Sequence, residues 1–227
     1  MRKFFRASAA ILLFATAVAI VMRLPPQNVP WGVADLNADV GLFTSLKLAR
    51  LRSDAPACRA ALRLAQVQFR ALPDNVSNPE CAQENMLVVE RSSYAYAPGV
   101  RTNCGLAAAL SVWERKVIQP AARKFLASDA ESIRHLGVYA CRAVRGSVSR
   151  QSQHANAAAI DIQAFRLRDG RTIDVQGNWG KDTAAGNFLR AVHDGACGVF
   201  RTVLGPDYNA AHANHFHLDI GPYSICR

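Results

Sequence analysis

The sequence predicts an α+β fold, with helices first and a small, mainly antiparallel sheet after them. Two patterns carry this expectation. Up to about residue 126 apolar residues recur at helical spacing, and from about residue 159 they alternate with polar ones at the two-residue period of a strand. The length, 227 residues, suits one hydrophobic core and only with difficulty two.

Taken in order, Leu36 to Leu51 reads as helical. From Asp54 the pattern sharpens: Pro56 suits a first turn, and Cys58, Leu62, Ala65, Phe69 and Leu72 form one apolar face before Pro73. Strands are expected at Met86 to Val89 and around Tyr94 to Tyr96. Leu106, Leu110, Trp113 and Val117 mark another helical face, closed by Pro120, with a further helix running to Leu126. In the second half, Val138 to Cys141 is a short strand candidate. Ala159 to Arg168, then Asp169-Gly170, then Arg171 to Gln176, predicts a hairpin with Asp161 and Gln163 on one face and Ile160 and Ile162 on the other. Thr183 to Val192 reads as a helix burying Phe188, Leu189 and Val192. Last, His215, His217 and Asp219 alternate with Phe216, Leu218 and Ile220, a strand with one apolar and one ligating side.

The first 23 residues stand apart. Met1 to Arg6 is basic, Ala7 to Met22 is a run of 16 residues without a charge, and Arg23 closes it. Such a run can enter a bilayer while the positive end stays behind, the physical form of an export signal. Residues 1–23 are therefore either an uncleaved signal anchor, held in the inner membrane by residues 7–22, or a signal peptide removed near Ala15-Thr16-Ala17. Both imply a periplasmic or envelope-facing domain. Residues 24–35, with three prolines, read as a linker, and residues 36–227 as the domain.

Six scattered cysteines in an exported chain predict three disulfides, and the absence of CxxC argues against a thiolate metal cluster. Cys226 is expected to tie back to Cys197. The net charge is +10, or about +6 without Arg2, Lys3, Arg6 and Arg23, which favours anionic envelope polymers or lipid surfaces. No continuous basic and aromatic stripe points to nucleic acid.

Chemistry concentrates in two short segments. His212-Ala213-Asn214-His215-Phe216-His217-Leu218-Asp219 holds three of the six histidines, and His154 lies seven residues before Asp161. Seven extended residues span about 23 Å, so only a turn at Ala155 to Ala158 can bring His154 back beside Asp161. With His217 from a neighbouring strand this makes two imidazoles and a carboxylate, a normal ligand set for Zn²⁺ with a fourth position left to water. His215, about 6 to 7 Å along the strand, is placed to act on that water rather than assumed to ligate. His212 can join it, and Asp219 can orient an imidazole. His135 and His193 lack such company and read as structural. Ser152 has no GxSxG context and sits too close along the chain to His154 to be its nucleophile.

The run Ser152-Gln153-His154-Ala155-Asn156-Ala157-Ala158-Ala159-Ile160-Asp161 and the terminal histidines also carry a resemblance. With Cys104, Cys141-Arg142, Trp179, Phe188-Leu189-Arg190 and Leu204-Gly205-Pro206, the chain resembles the bacterial extensin-like C-terminal domain family over roughly residues 36–227. Through it the chain is similar to the zinc D-Ala-D-Ala carboxypeptidase and lysostaphin-type group, which includes murein endopeptidases, with its SxHxxGxAxD and HxH patterns. That resemblance implies zinc on His154, Asp161 and His217. It implies His215 as proton acceptor or intermediate holder and His212 assisting the leaving amine; because such a reaction develops a negative oxygen, Arg142 and Arg145 are candidates to stand near it, or else to bind a substrate carboxylate or lie solvated. The expected activity is hydrolysis of peptide bonds in peptidoglycan stem peptides or cross-links, of D,D-carboxypeptidase or endopeptidase type. One departure weighs against efficient catalysis: the group's glycine is Ala157, whose methyl strains the ligand turn if φ must be positive. The rival expectation is a noncatalytic peptidoglycan-binding envelope module retaining a metal pocket. A structural zinc site closed by His215 or Asp219 is the third.

Overall fold

Leu36 to Leu51 does not fold as one helix. In the computed structural model, which describes residues 12, 15–16, 18–147 and 150–227, only Thr44–Arg50 (α1) is helical there. Leu36 is buried from a loop in which the Asp35 carboxylate accepts from the Asn37 N–H. Helix α2, Ala55–Leu64, starts where the Asp54 side chain accepts from the Ala57 N–H. It ends ten residues on, short of the expected Leu72, because Gln66 turns into the left-handed region at φ 57°. The Val67 N–H then donates to the Leu62 carbonyl and the Gln66 N–H to that of Arg63, a Schellman stop without its usual glycine.

The freed chain enters a three-stranded antiparallel sheet of β1 (Gln68–Ala71), β2 (Met86–Arg91) and β3 (Ala95–Asn103), in that order. Strand β3 outruns the expected Tyr94 to Tyr96 because it is an edge strand, where Pro98 costs no ladder hydrogen bond. Helix α3, Cys104–Trp113, passes through a wide π turn at Glu114–Ile118 into α4, Gln119–Leu126. Pro120, expected to close the helix, lies in the first turn of α4. The π turn just before it, with the Gln119 N–H donating to the Glu114 carbonyl five residues back, leaves room for its ring.

The second sheet has six strands: β4 (Ala130–Gly137), β5 (Ala159–Leu167), β6 (Thr172–Asp174), β7 (Thr202–Leu204), β8 (Phe216–Asp219) and β9 (Ile225–Cys226). All pairings are antiparallel except β7 with β9. Val138 to Cys141 is not a strand. The strand lies just before it, half exposed at the sheet edge, where neither face is buried and no clean alternation is left to read. Helices α5 (Val175–Asn178) and α6 (Ala184–Ala196) complete the fold, α6 burying Phe188, Leu189 and Val192 as its spacing predicts. Trp113 joins the layers. Its ring meets Phe165 and Phe200 edge-on and its indole N–H donates to the Val192 carbonyl at 2.9 Å.

Three disulfides close the frame: Cys58–Cys104, Cys81–Cys141 and the expected Cys197–Cys226. The membrane anchor is corrected: among the described residues no helix is long and apolar enough to cross a membrane. Sixteen helical residues would span about 24 Å against a hydrocarbon core of about 30 Å. The same finding removes the inner-membrane partner and the anchored localisation. Most of residues 1–17, on which the signal reading rests, lie outside the described residues.

Cys58 and Cys104 are fully buried and join α2 to α3 across 46 residues of chain. Replacing both by alanine should lower unfolding stability by about 4 kcal/mol, measured by urea denaturation, if the bridge acts mainly by restricting the unfolded chain.

Candidate metal centre

The pairing of β5 with β8 sets Asp161 directly opposite His217 and Ala159 opposite Asp219. His154 arrives from a one-turn 3₁₀ helix, Gln153–Asn156, which Ser152 begins by accepting from the His154 N–H. Ala157 then reverses the chain at φ 51° and ψ 33°, the positive-φ case in which a methyl is strained. Its carbonyl accepts from the Asn103 N–H and the Thr102 hydroxyl, which hold that conformation. From outside, the Arg52 guanidinium donates to Gln153 Oε1 at 2.7 Å and Asn156 Oδ1 at 3.2 Å, pinning the turn.

His154 Nε2, His217 Nδ1 and Asp161 Oδ1 converge. The separations are 3.2 Å between the nitrogens, 3.0 Å from His217 to Asp161 and 3.3 Å from His154 to Asp161. Ligands sharing a tetrahedral ion with bonds of about 2.0 Å stand about 3.3 Å apart, so the spacing fits a divalent metal. The remaining ring nitrogens support this. The Val138 carbonyl, an acceptor only, takes the His154 Nδ1–H at 3.0 Å and leaves Nε2 with its lone pair. Asp219 Oδ2 takes the His217 Nε2–H at 3.2 Å, and Asp219 is itself buried and fixed by the Gly221 N–H.

The charge balance asks for a cation. Burial would lower His217, but hydrogen bonds to Asp161 and Asp219 outweigh it and push its pKa up to about 9. Burial would raise Asp161, yet His154 and His217 hold it well below the usual carboxylate range. Without a metal, a proton on His217 serves as the counter-charge.

The other expected residues lie around this group. His215 Nε2 is 3.6 Å from Asp161 Oδ1, while its Nδ1 faces Asn214 Oδ1 at 2.8 Å; the three-residue group closes without it. His212 stacks near His215 and His217, with ring centroids 5.2 and 6.0 Å away. Burial, then the neighbouring His215 and His217, press its pKa down to about 4. Burial also lowers His215. Arg142 is exposed and its guanidinium donates to the Ala143 carbonyl, whereas the charge of Arg145 is the one felt at His212. His193 is structural as expected, packed against Trp179 and Phe216. Sequence reasoning missed Arg52 and the Val138 carbonyl. A distant arginine and a main-chain oxygen leave no pattern around the histidines.

An α+β domain with a two-histidine, one-aspartate candidate metal centre is the class this geometry defines. Residues 56–227 match the family model described as extensin-like protein C-terminus, and the chain belongs to that family. No curated protein and no solved structure matches. The expected kinship with zinc D-Ala-D-Ala carboxypeptidases and lysostaphin-type endopeptidases is therefore corrected: the family match carries no such link, and the short pattern behind it already departs at Ala157.

Two outcomes follow. In chelator, the stability contributed by the raised His217 is complete below its unfolded value near 6.5 and is lost as pH rises through about 9. That contributed by the depressed Asp161 is present above about 4 and lost as pH falls. Thermal midpoints of the metal-free protein should accordingly decline from pH 6.5 to 9, and His217→Ala should flatten the slope. Ala157→Gly should change stability by less than about 1 kcal/mol, since relief of about 1–2 kcal/mol of left-handed strain is offset by chain entropy and a lost buried methyl. Ala157→Val should cost more than about 2 kcal/mol; urea unfolding of both variants checks this.

Proposed function

We propose that the chain is a noncatalytic module that binds cell-wall peptidoglycan and retains Zn²⁺ on His154, Asp161 and His217. The observation that carries this reading is the convergence of three ligand atoms within 4.8 Å of one another, each imidazole oriented by a bond from its other nitrogen. Two nitrogens and a carboxylate oxygen form a borderline donor set that suits Zn²⁺ over the harder Mg²⁺ or Ca²⁺. The positive balance of the chain supports attraction to an anionic wall polymer. Binding is favoured over cleavage because a cleft of about 590 Å³ bordered by β3 and β4 is lined by none of the three ligands. Arg142, the expected partner of a developing oxyanion, is turned to its own neighbour.

A second reading, zinc-dependent hydrolysis of a wall peptide bond, is favoured by the position of His215 beside Asp161. In that reading the ion, when bound, supplies a Lewis acid. His215 holds a proton at Nε2, His212 serves the departing amine, and Arg142 is the candidate for the developing oxyanion.

Metal analysis should find about one zinc per wild-type chain, none in His217→Ala and about one in His215→Ala; zinc retained by His217→Ala overturns the ligand assignment. Wild-type protein should sediment with insoluble murein and leave its fragment masses unchanged. Fragments released by metal-loaded but not metal-stripped protein, reduced more than about tenfold in His215→Ala, decide for the hydrolase instead.

A further inference from the structure

The two sheets leave facing edges. Strand β3 has β2 on one side and β4 has β5 on one side; among the described residues neither has a strand on the other. The cleft of about 590 Å³ lies between them. Its β3 wall is unbroken from Ala95 to Arg101, and the opposite wall is Ser132, Ile133 and His135 of β4 with Val138 and Tyr139 beyond. A pocket over one face of a strand touches every second residue, because side chains alternate. Seven consecutive residues can line a cavity only if it opens along the strand's edge, where main-chain N–H and C=O groups are presented.

From this geometry we infer that the cleft receives a short extended peptide bearing a carboxylate, laid as an added strand between β3 and β4. The volume falls in the range of built ligand sites, and main-chain pairing to an open edge is a recurrent mode of peptide capture. Side chains give it chemistry. Tyr96 forms a fixed wall, since its hydroxyl donates to the buried Glu114 carboxylate, which the Ser93 N–H also holds at 3.0 Å. Tyr139 supplies an exposed ring. His135 Nδ1 is buried without a protein hydrogen-bond partner among the described residues. Arg101 is exposed, its partner is the neutral Gln83 Oε1 at 3.1 Å, and among the described residues no carboxylate lines the cleft, so its charge can meet an acidic ligand.

The assignment rests on the wall-binding reading, whose polymer carries short acidic peptides on glycan strands. The test uses the full domain, disulfides intact, with three probes: insoluble murein, the L-Ala-D-Glu-diaminopimelate-D-Ala tetrapeptide released from it, and glycan strands stripped of peptide. Hydrogen exchange should slow at amides 95–101 and 132–135 with the tetrapeptide and stay unchanged with glycan. Arg101→Gln should weaken tetrapeptide binding by about tenfold in calorimetry. Sedimentation with murein but no protection by tetrapeptide, or protection by glycan alone, overturns the peptide site and leaves wall binding standing. No sedimentation and no protection overturns both. Equal tetrapeptide affinity in Arg101→Gln, with protection retained, overturns the carboxylate assignment.

Discussion

Everything at the candidate metal centre depends on the register between β5 and β8. Asp161 and His217 face each other only while Ile160 pairs with Leu218 and Ile162 with Phe216. Those four apolar side chains are almost fully buried, from 0 to 1% exposed. A slip of β8 by one residue would turn Phe216 and Leu218 to the ligand face and His217 away from it, and each apolar side chain is worth about 1.5–3 kcal/mol when buried. The apolar face therefore specifies the polar one. The ligands need contribute little of their own to be held together, which is why the cluster can carry unfavourable charge without unravelling the sheet.

That tolerance is visible in how the charges are arranged. Two imidazole lone pairs and an ionised carboxylate oxygen within about 3.3 Å repel unless a cation sits among them. The structure answers from outside the cluster: a main-chain carbonyl fixes one ring, a buried carboxylate the other. Fixing the second nitrogen costs the rings their freedom before any ion arrives, so less ordering remains to be done on binding. Ala157 belongs to the same economy. Its left-handed backbone is strained, yet two donors on its carbonyl and full burial over-determine it.

What could be read from the sequence divides along the same line. The hairpin at 159–174, the ligating strand at its partner and the helix over Phe188 were legible because each has one buried face, and burial imposes a period. The turn that returns His154 to Asp161 was legible as a geometric necessity, since an extended chain could not do it. Strand β4 and the end of α2 were not. A sheet edge wets both faces and erases alternation, and a glutamine in the left-handed region ends a helix without the glycine that usually signals it. The conformation of Ala157 was posed by the sequence as a question of φ, and only coordinates could answer it. Residues 7–22 show the opposite hazard: apolar composition alone suggested a span that is a few residues short of a bilayer.

Val138 brings the two halves of the molecule to one point. It follows β4 directly, lines the cleft between the sheets, and through its carbonyl orients His154. A peptide unit has one carbonyl orientation for each pair of backbone angles, so the chain cannot move Val138 to widen or narrow the cleft without moving the acceptor that fixes the imidazole. Cys141, three residues on, is bonded to Cys81, and the Ala140 N–H donates to the His154 carbonyl. These ties limit how far the segment can travel. The segment that borders the cleft is thus tied to the 3₁₀ turn of His154 by two main-chain hydrogen bonds, one to its imidazole and one to its carbonyl.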